Sequence, residues 1–147
     1  MDSIFTEKAN QDLLKRLKTI DKSKTANWGK MNVSQMLHHC QHPINIILQK
    51  KDYDLKPNWI ARLLFKKAMY SDKLWRKNLP TVPSFKTMDD RDFTSEKLKL
   101  KSLIEELHTH KDRNDWQAHP VFGTFTKEQW GKMQYKHLDH HFRQFGV

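Results

Sequence analysis

The chain has little of what builds disulfides, loops and membrane spans. Its 147 residues include one cysteine, four glycines and five prolines. The single cysteine, Cys40, excludes an internal disulfide and favours a reducing compartment, so we expect a cytoplasmic protein. The shortage of glycine and proline argues against a flexible linker and a many-turned β-sandwich. No apolar run reaches the roughly 18–20 residues of a membrane span, and Met1–Asn10 lacks a signal-peptide pattern, so no membrane partner is expected.

The chain is nevertheless rich in large apolar and charged side chains. Hydrophobic residues make up 37% of it and include eight phenylalanines and five tryptophans, which excludes intrinsic disorder. Its length suits one domain covering residues 1–147.

The charge balance is strongly basic, with 27 Lys and Arg against 17 Asp and Glu, a formal +10. Such a charge leaves open a non-catalytic binding module for an acidic partner or nucleic acid. Most of the cations are lysines, however, whereas base readout and phosphate clamps favour arginine. Pairs such as Lys50–Lys51 and Lys66–Lys67 are typical of a solvated helix face, so the composition speaks against nucleic acid.

The apolar residues follow a helical period along almost the whole chain, and no window alternates like a strand. The pattern predicts an all-α bundle of four main helices with a shorter additional helix. A long crossover loop is expected over Asn78–Phe93, which contains Pro80 and Pro83. The predicted helices cover about 5–20, about 32–49, a segment with Pro57 in its first turn, a segment opening near Thr94, and about 126–145.

Three local signals refine these helices. Asn32 with Gln35, and Thr126 with Gln129, have the spacing of capping boxes. Pro43 lies inside the second predicted helix, where we expect either a kink or the local loss of one backbone hydrogen bond.

The nine histidines concentrate on two predicted helices. On the last helix, His141 lies within roughly 20° of the apolar direction, His137 within roughly 60°, and His140 about 120° away. His137 and His141 therefore point inward one turn apart, where two imidazoles can reach one ion. They could instead be core residues, but burying two polar rings is costly unless both are paired.

A third ligand would come from the second helix, where the geometry does not decide. His39 lies about 120° and His38 about 140° from the apolar centre of that helix, so the spacing leaves both open.

Several strings together resemble the DinB/YfiT-like superfamily. They are Trp28–Met31 followed by Gln35–His39, and the ending His137–Gln144 with its HxxxH pair and a glutamine three residues later. The segment His119–Gly123, followed by Trp130, is similar to an uncharacterised branch of that superfamily.

The resemblance implies a DinB-like four-helix bundle that holds one divalent metal through His39, His137 and His141. Zinc or nickel suits imidazole ligands best, and iron or manganese is also compatible. Relatives in the superfamily include metal-dependent thiol transferases and a thiol-dependent maleylpyruvate isomerase. The expected activity is transfer of a low-molecular-weight thiol to a small electrophile, or hydrolysis of one, and a homodimer is compatible with the sequence. Phe142 and Arg143 replace the middle of the common HRGQ ending, which separates this chain from the family's usual substrate chemistry.

Other residues are candidates for supporting the site. Gln144 points inward and either orients a ligand or is a satisfied core residue, and His119 either lines the pocket mouth or has no role. The connector around Trp28 and the loop from His119 to Phe125 are expected to flank the opening, because each leads into a ligand-bearing helix. Trp28 and Trp130, with Phe122 and Phe125, are expected to pack at the end of the bundle.

Two further residues are expected to be outside the chemistry. Cys40 is expected to be a buried, inert thiol, because it shares the apolar side of its helix. Asp139 is expected to face outward, which leaves no carboxylate placed as a general base.

Overall fold

The computed structural model describes all residues, 1–147, and it is all-helical. The helices are α1 (Glu7–Thr19), α2 (Val33–His39), α3 (Gln41–Ile47), α4 (Trp59–Tyr70), α5 (Phe93–Thr109) and α6 (Lys127–Gln144), with one 3₁₀ turn at Pro83–Phe85. The all-α prediction is confirmed. None of these helices has the length and apolar character needed to cross a bilayer.

Local sequence signals determine most helix starts. Asn32 Oδ1 accepts from the Gln35 backbone N–H at 2.9 Å while Gln35 Oε1 accepts from the Asn32 N–H at 3.0 Å, and Thr126 with Gln129 forms the same reciprocal pair before α6. Both predicted capping boxes are confirmed, because each satisfies two N–H groups that have no partner within the helix.

The second predicted helix is interrupted, so α2 and α3 meet at Cys40. Pro43 then lies in the first turn of α3, where its missing N–H removes no intrahelical bond. The predicted local disruption is thus a break at Cys40, three residues before the proline.

One predicted start is wrong. Helix α4 begins at Trp59, and Asn58 is its N-cap, with Asn58 Oδ1 accepting from the Ala61 N–H at 2.9 Å. Pro57 therefore precedes the helix instead of lying in its first turn. The reason is that asparagine is among the strongest N-caps and fixes the start immediately after itself.

The core lies between α1, the α2–α3 pair, α5 and α6. Helix α5 contacts α1, α2 and α3, and α6 contacts α1, α3 and α4. The predicted apolar face of α5 is buried, as expected, through Leu100, Leu103, Ile104 and Leu107. Helix α4 differs, because it has no buried residue and packs mainly against α6.

Candidate metal centre

Three buried histidines from two helices meet at one point. His39 is the last residue of α2, while His137 and His141 lie one turn apart on α6. One candidate ligand atom from each ring lies within 4.8 Å of the others. His39 Nε2 and His137 Nε2 are 3.2 Å apart, close to the roughly 3.3 Å that two bonds of about 2.0–2.1 Å make at a tetrahedral angle.

The structure also distinguishes between the two histidines of α2 that spacing left open. It brings His39, and not His38, to the α6 pair. His38 Nδ1 lies 2.9 Å from Glu96 Oε2, and the same carboxylate oxygen accepts from Gln41 Nε2 at 2.6 Å. His38 is therefore occupied on another face of α2.

A backbone carbonyl fixes the tautomer of His39. Its Nδ1 lies 3.0 Å from the Phe85 carbonyl oxygen. Because a carbonyl only accepts, Nδ1 carries the proton, and the lone pair of the neutral ring is on Nε2, facing His137.

An amide fixes the tautomer of His141 in the same way. Gln144 Nε2 donates to the Trp28 carbonyl at 2.6 Å, which turns Gln144 Oε1 toward His141 Nδ1 at 2.8 Å. An amide oxygen only accepts, so His141 Nδ1 is the protonated nitrogen and its Nε2 keeps a lone pair. Metal-binding histidines commonly donate their other N–H to such an outer acceptor.

Burial keeps all three rings neutral at neutral pH. Burial lowers the pKa of His39, and it holds the pKa values of His137 and His141 well below the usual histidine value. The neighbouring histidines lower the pKa of each ring further. Neutral imidazole is the form that binds metal, so the electrostatics of the cluster suit a cation.

The crossover between α4 and α5 covers the histidines. The ring of Trp75 lies 6.0 Å from that of His137 and 5.7 Å from that of His140, and the ring of Phe85 lies 6.2 Å from that of His39. Two aromatic side chains from this segment therefore shield the site from solvent.

The loop from His119 to Phe125 packs against the first turn of α6. His119 packs against Phe122, Phe125 and Trp130, with its ring 5.4 Å from that of Trp130. Trp130 precedes His137 by seven residues, which is about 10 Å along α6. Phe125 and Trp130 hold this loop about two turns of α6 before His137, and the expectation that it flanks the site opening stays a prediction.

Trp28 and Gln144 are at the histidine site, as the sequence suggested. The Trp28 carbonyl holds Gln144, and its indole lies 5.7 Å from the His140 ring and 4.7 Å from Lys77 Nζ. The predicted packing of Trp130 with Phe122 and Phe125 is confirmed, but Trp28 is not part of that cluster.

The chain matches one protein family over almost its whole length. The profile of a family described as "Protein of unknown function (DUF1569)" matches residues 5–146. The chain belongs to the DUF1569 family. No curated protein and no solved structure matches it. The function of this DUF1569 chain is therefore inferred from the histidine cluster.

Sequence reasoning missed four side chains around the site of this DUF1569 chain. Glu96 is 3% exposed and binds His38. Its burial could have been predicted, because it lies on the apolar face of α5, one turn before Leu100. Tyr53 Oη lies 2.9 Å from His42 Nδ1. Trp75 and Phe85 lie in the crossover, where no periodicity indicates burial.

The two residues expected to be outside the chemistry do not belong to the histidine cluster. Cys40 is fully buried, its Sγ lies 3.6 Å from Met36 Sδ, and burial raises the pKa of its thiol, as expected for an inert cysteine. Asp139 does not face open solvent as predicted, because one carboxylate oxygen pairs with Arg16 of α1 at 2.9 Å. Neither group is available as a general base.

Proposed function

We propose that this chain is a metal-dependent enzyme in which His39, His137 and His141 bind one divalent ion. The observation that carries the proposal is the convergence of the three rings with two tautomers fixed from outside. The Phe85 carbonyl and the Gln144 amide each take an Nδ1 proton, which leaves Nε2 lone pairs inside the cluster. Lone pairs that face one another repel unless a proton or a cation lies between them.

We further propose that the fold is the DinB-like four-helix bundle. Supporting this, α1, the α2–α3 pair, α5 and α6 enclose the core, and α4 lies outside it with the crossover. The ligand set combines the second helical unit with the last helix, the arrangement that the family resemblance implies.

The donor set favours zinc or nickel, since imidazole nitrogens suit these ions, with iron or manganese as alternatives. No carboxylate belongs to the cluster. Three neutral protein ligands leave coordination positions for water or substrate, as in catalytic rather than structural sites.

The reaction that fits best is transfer of a low-molecular-weight thiol to a small electrophile, or hydrolysis of such a molecule. A bound divalent ion would lower the pKa of a coordinated thiol or water. The protein's part is to hold the imidazoles through Phe85 and Gln144 and to exclude bulk water with Trp75. The aromatic cover favours a small substrate over a polymer, which would need an extended open groove.

The test is metal analysis followed by a search for an open coordination position. Protein purified without an affinity tag should contain about one zinc, nickel, iron or manganese ion per chain. After substitution with cobalt, titration with azide or a small thiol should shift the visible absorption spectrum.

Two results would reject the enzyme. One is a protein that neither contains nor takes up metal at pH 7.5. The other is a cobalt spectrum that azide and thiol leave unchanged. A metal-free protein whose nucleic-acid affinity falls steeply with salt would instead support the basic binding module.

A further inference from the structure

The exposed apolar side chains of this protein are concentrated in one region. Ten large hydrophobic residues are exposed, and nine of them lie between Trp59 and Met88. The tenth, Leu98, lies on α5. Single exposed apolar residues are ordinary, but such a concentration within one segment of the chain is typical of an interaction surface.

Four of these side chains form one stripe on α4. Trp59 and Leu63 are each 74% exposed, and Ile60 and Leu64 are also exposed. At about 100° per residue, the four cover roughly 140° of the helix. No residue of α4 is buried. We call the four residues the α4 stripe.

The same region carries most of the net positive charge of the chain. Residues 56–88 contain eight Lys and Arg and one acidic residue, Asp72, a net +7 out of the chain's +10. Asp72 pairs with the amino-terminal ammonium group at 2.6 Å. Among the eight cations only Lys56 pairs with a carboxylate, that of Asp54. An apolar stripe therefore lies within a field of largely uncompensated cations.

This combination argues against a second copy of the chain as the occupant. A two-fold interface through the α4 stripe would bring each +7 region against its own counterpart. Like charges placed opposite one another across an interface oppose association. A partner surface with negative charge outside and an apolar layer beneath it fits the α4 stripe and its cations better.

We propose that the α4 stripe and its surrounding lysines and arginines bind the surface of an anionic lipid bilayer. Helices with Trp and Leu on one side and basic residues around them lie in the bilayer interface. The anionic headgroups attract the cations, while the apolar side chains enter the acyl boundary. The expectation of no membrane partner rested on the missing span, which does not bear on attachment at the surface.

The test is flotation of the full-length protein with lipid vesicles. We expect binding to vesicles of phosphatidylcholine with about 30% phosphatidylglycerol and little binding to pure phosphatidylcholine. Raising the salt from about 0.1 M to about 1 M should weaken the binding, because the charges are exposed.

Matched variants separate the stripe from general charge and hydrophobicity. Leu63→Glu should reduce vesicle binding by about tenfold, whereas Leu98→Glu, the same change at the exposed α5 leucine, should leave it unaltered. The double variant Lys67→Glu/Lys73→Glu should lose binding, and Lys8→Glu/Lys15→Glu, with the same net charge but on α1, should retain most of it. Circular dichroism and the melting temperature establish that each variant is folded.

Three outcomes would overturn the proposal. The first is wild-type protein that does not float with the anionic vesicles. The second is equal loss of binding in the α4 and control variants. The third is a wild-type dimer that Leu63→Glu converts to a monomer while vesicle binding stays unchanged, which would assign the stripe to a second copy. None of these outcomes depends on whether the histidine cluster is an enzyme site.

Discussion

The orientation of one imidazole depends on a glycine that is remote in sequence. His141 is held by Gln144, which is held in turn by the Trp28 carbonyl. Gly29 follows Trp28 with φ +83°, and a Cβ at this position would lie 2.6 Å from Gln144 Nε2. The absence of a side chain at residue 29 thus allows the amide to reach its carbonyl partner.

We predict that Gly29→Ala weakens metal binding without touching a ligand. The added methyl group displaces Gln144 and frees the His141 ring, and loss of such an outer hydrogen bond costs about 10- to 100-fold in metal affinity. The affinity is measured by competition with a chromophoric chelator.

Gly146→Ala is the matched control for this prediction. Gly146 has a similar φ of +72°, but its nearest neighbour to a Cβ is Asn27 Nδ2 at 3.7 Å. Both variants bear the backbone strain of alanine at positive φ, roughly 1 kcal/mol, yet only Gly29→Ala should lose metal affinity. Equal affinities in the two variants would show that Gln144 does not position His141.

The adjacent histidines of α6 provide a second test at the residue scale. His141→Ala removes one of three proposed ligands and should strip most of the metal, whereas His140→Ala should retain it, because the His140 ring lies against Trp28 and Trp75. Metal content per chain, measured by elemental analysis, distinguishes them. Retention in His141→Ala with loss in His140→Ala would mean that the ligand is misassigned.

At the scale of the helices, local signals predict more than long-range packing does. The two capping boxes fix where α2 and α6 begin, and the apolar period of α6 predicts which of its histidines face inward, because both depend only on neighbouring residues. The choice of His39 over His38 depends on how α2 is rotated against α6, which its short apolar pattern does not determine. The family resemblance, and not the spacing, singled out His39.

The cover of the site could not be predicted for the same reason. Trp75 and Phe85 lie in an irregular crossover, and their positions come from contacts with residues far away in the sequence. The exposure of α4 also cannot be predicted from its sequence, because its apolar content alone favours burial. In this chain, contacts made by the irregular segments decide what surrounds the histidines.

One buried lysine fastens α4 to α6. Lys136 Nζ donates to the carbonyl oxygens of Ala68 at 2.7 Å and Ser71 at 2.8 Å, at the end of α4. The ammonium group thereby satisfies carbonyls that have no partner within the helix and interacts favourably with the helix dipole. Burial lowers the pKa of Lys136.

We predict that Lys136→Met loosens α4 and the crossover. The variant keeps the length of the side chain but leaves the Ser71 carbonyl without a donor and the Ala68 carbonyl with Trp75 Nε1 alone, at a cost of about 2 kcal/mol in the free energy of unfolding. Hydrogen exchange of the α4 amides should accelerate. Exchange of the Trp75 indole N–H should accelerate with it, because this group also donates to the Ala68 carbonyl.

Lys132→Met, one turn earlier on α6, is the control. Lys132 forms a surface ion pair with Glu128 at 2.8 Å, and losing it should cost less than about 1 kcal/mol. Unchanged exchange of α4 in Lys136→Met would mean that apolar contacts alone hold this helix.

At the scale of the whole molecule, buried neutral histidines make stability depend on pH. Burial lowers the pKa of His119 to about 4 and that of His42 to about 3, and it lowers the values of the three clustered histidines as well. The unfolded chain takes up these protons near pH 6.5, the ordinary histidine pKa. Between that value and the folded pKa, the unfolded state binds more protons, so the free energy of unfolding falls as the pH falls.

We therefore predict that the chelator-treated protein is less stable to urea at pH 5.5 than at pH 7.5. The contribution of His119 to this loss in the free energy of unfolding can be measured separately. Its Nδ1 accepts the backbone N–H groups of Val121 at 3.1 Å and Phe122 at 3.3 Å, so protonation there would break both bonds. With a folded pKa of about 4, His119 should account for about 1 kcal/mol of the loss at pH 5.5. His119→Gln should shrink the pH effect by that amount, whereas His110→Gln, at an exposed position, should not. An equal pH dependence in the wild type and His119→Gln would mean that His119 is not neutral in the folded protein. This conclusion does not depend on a bound metal, because the chelator removes it.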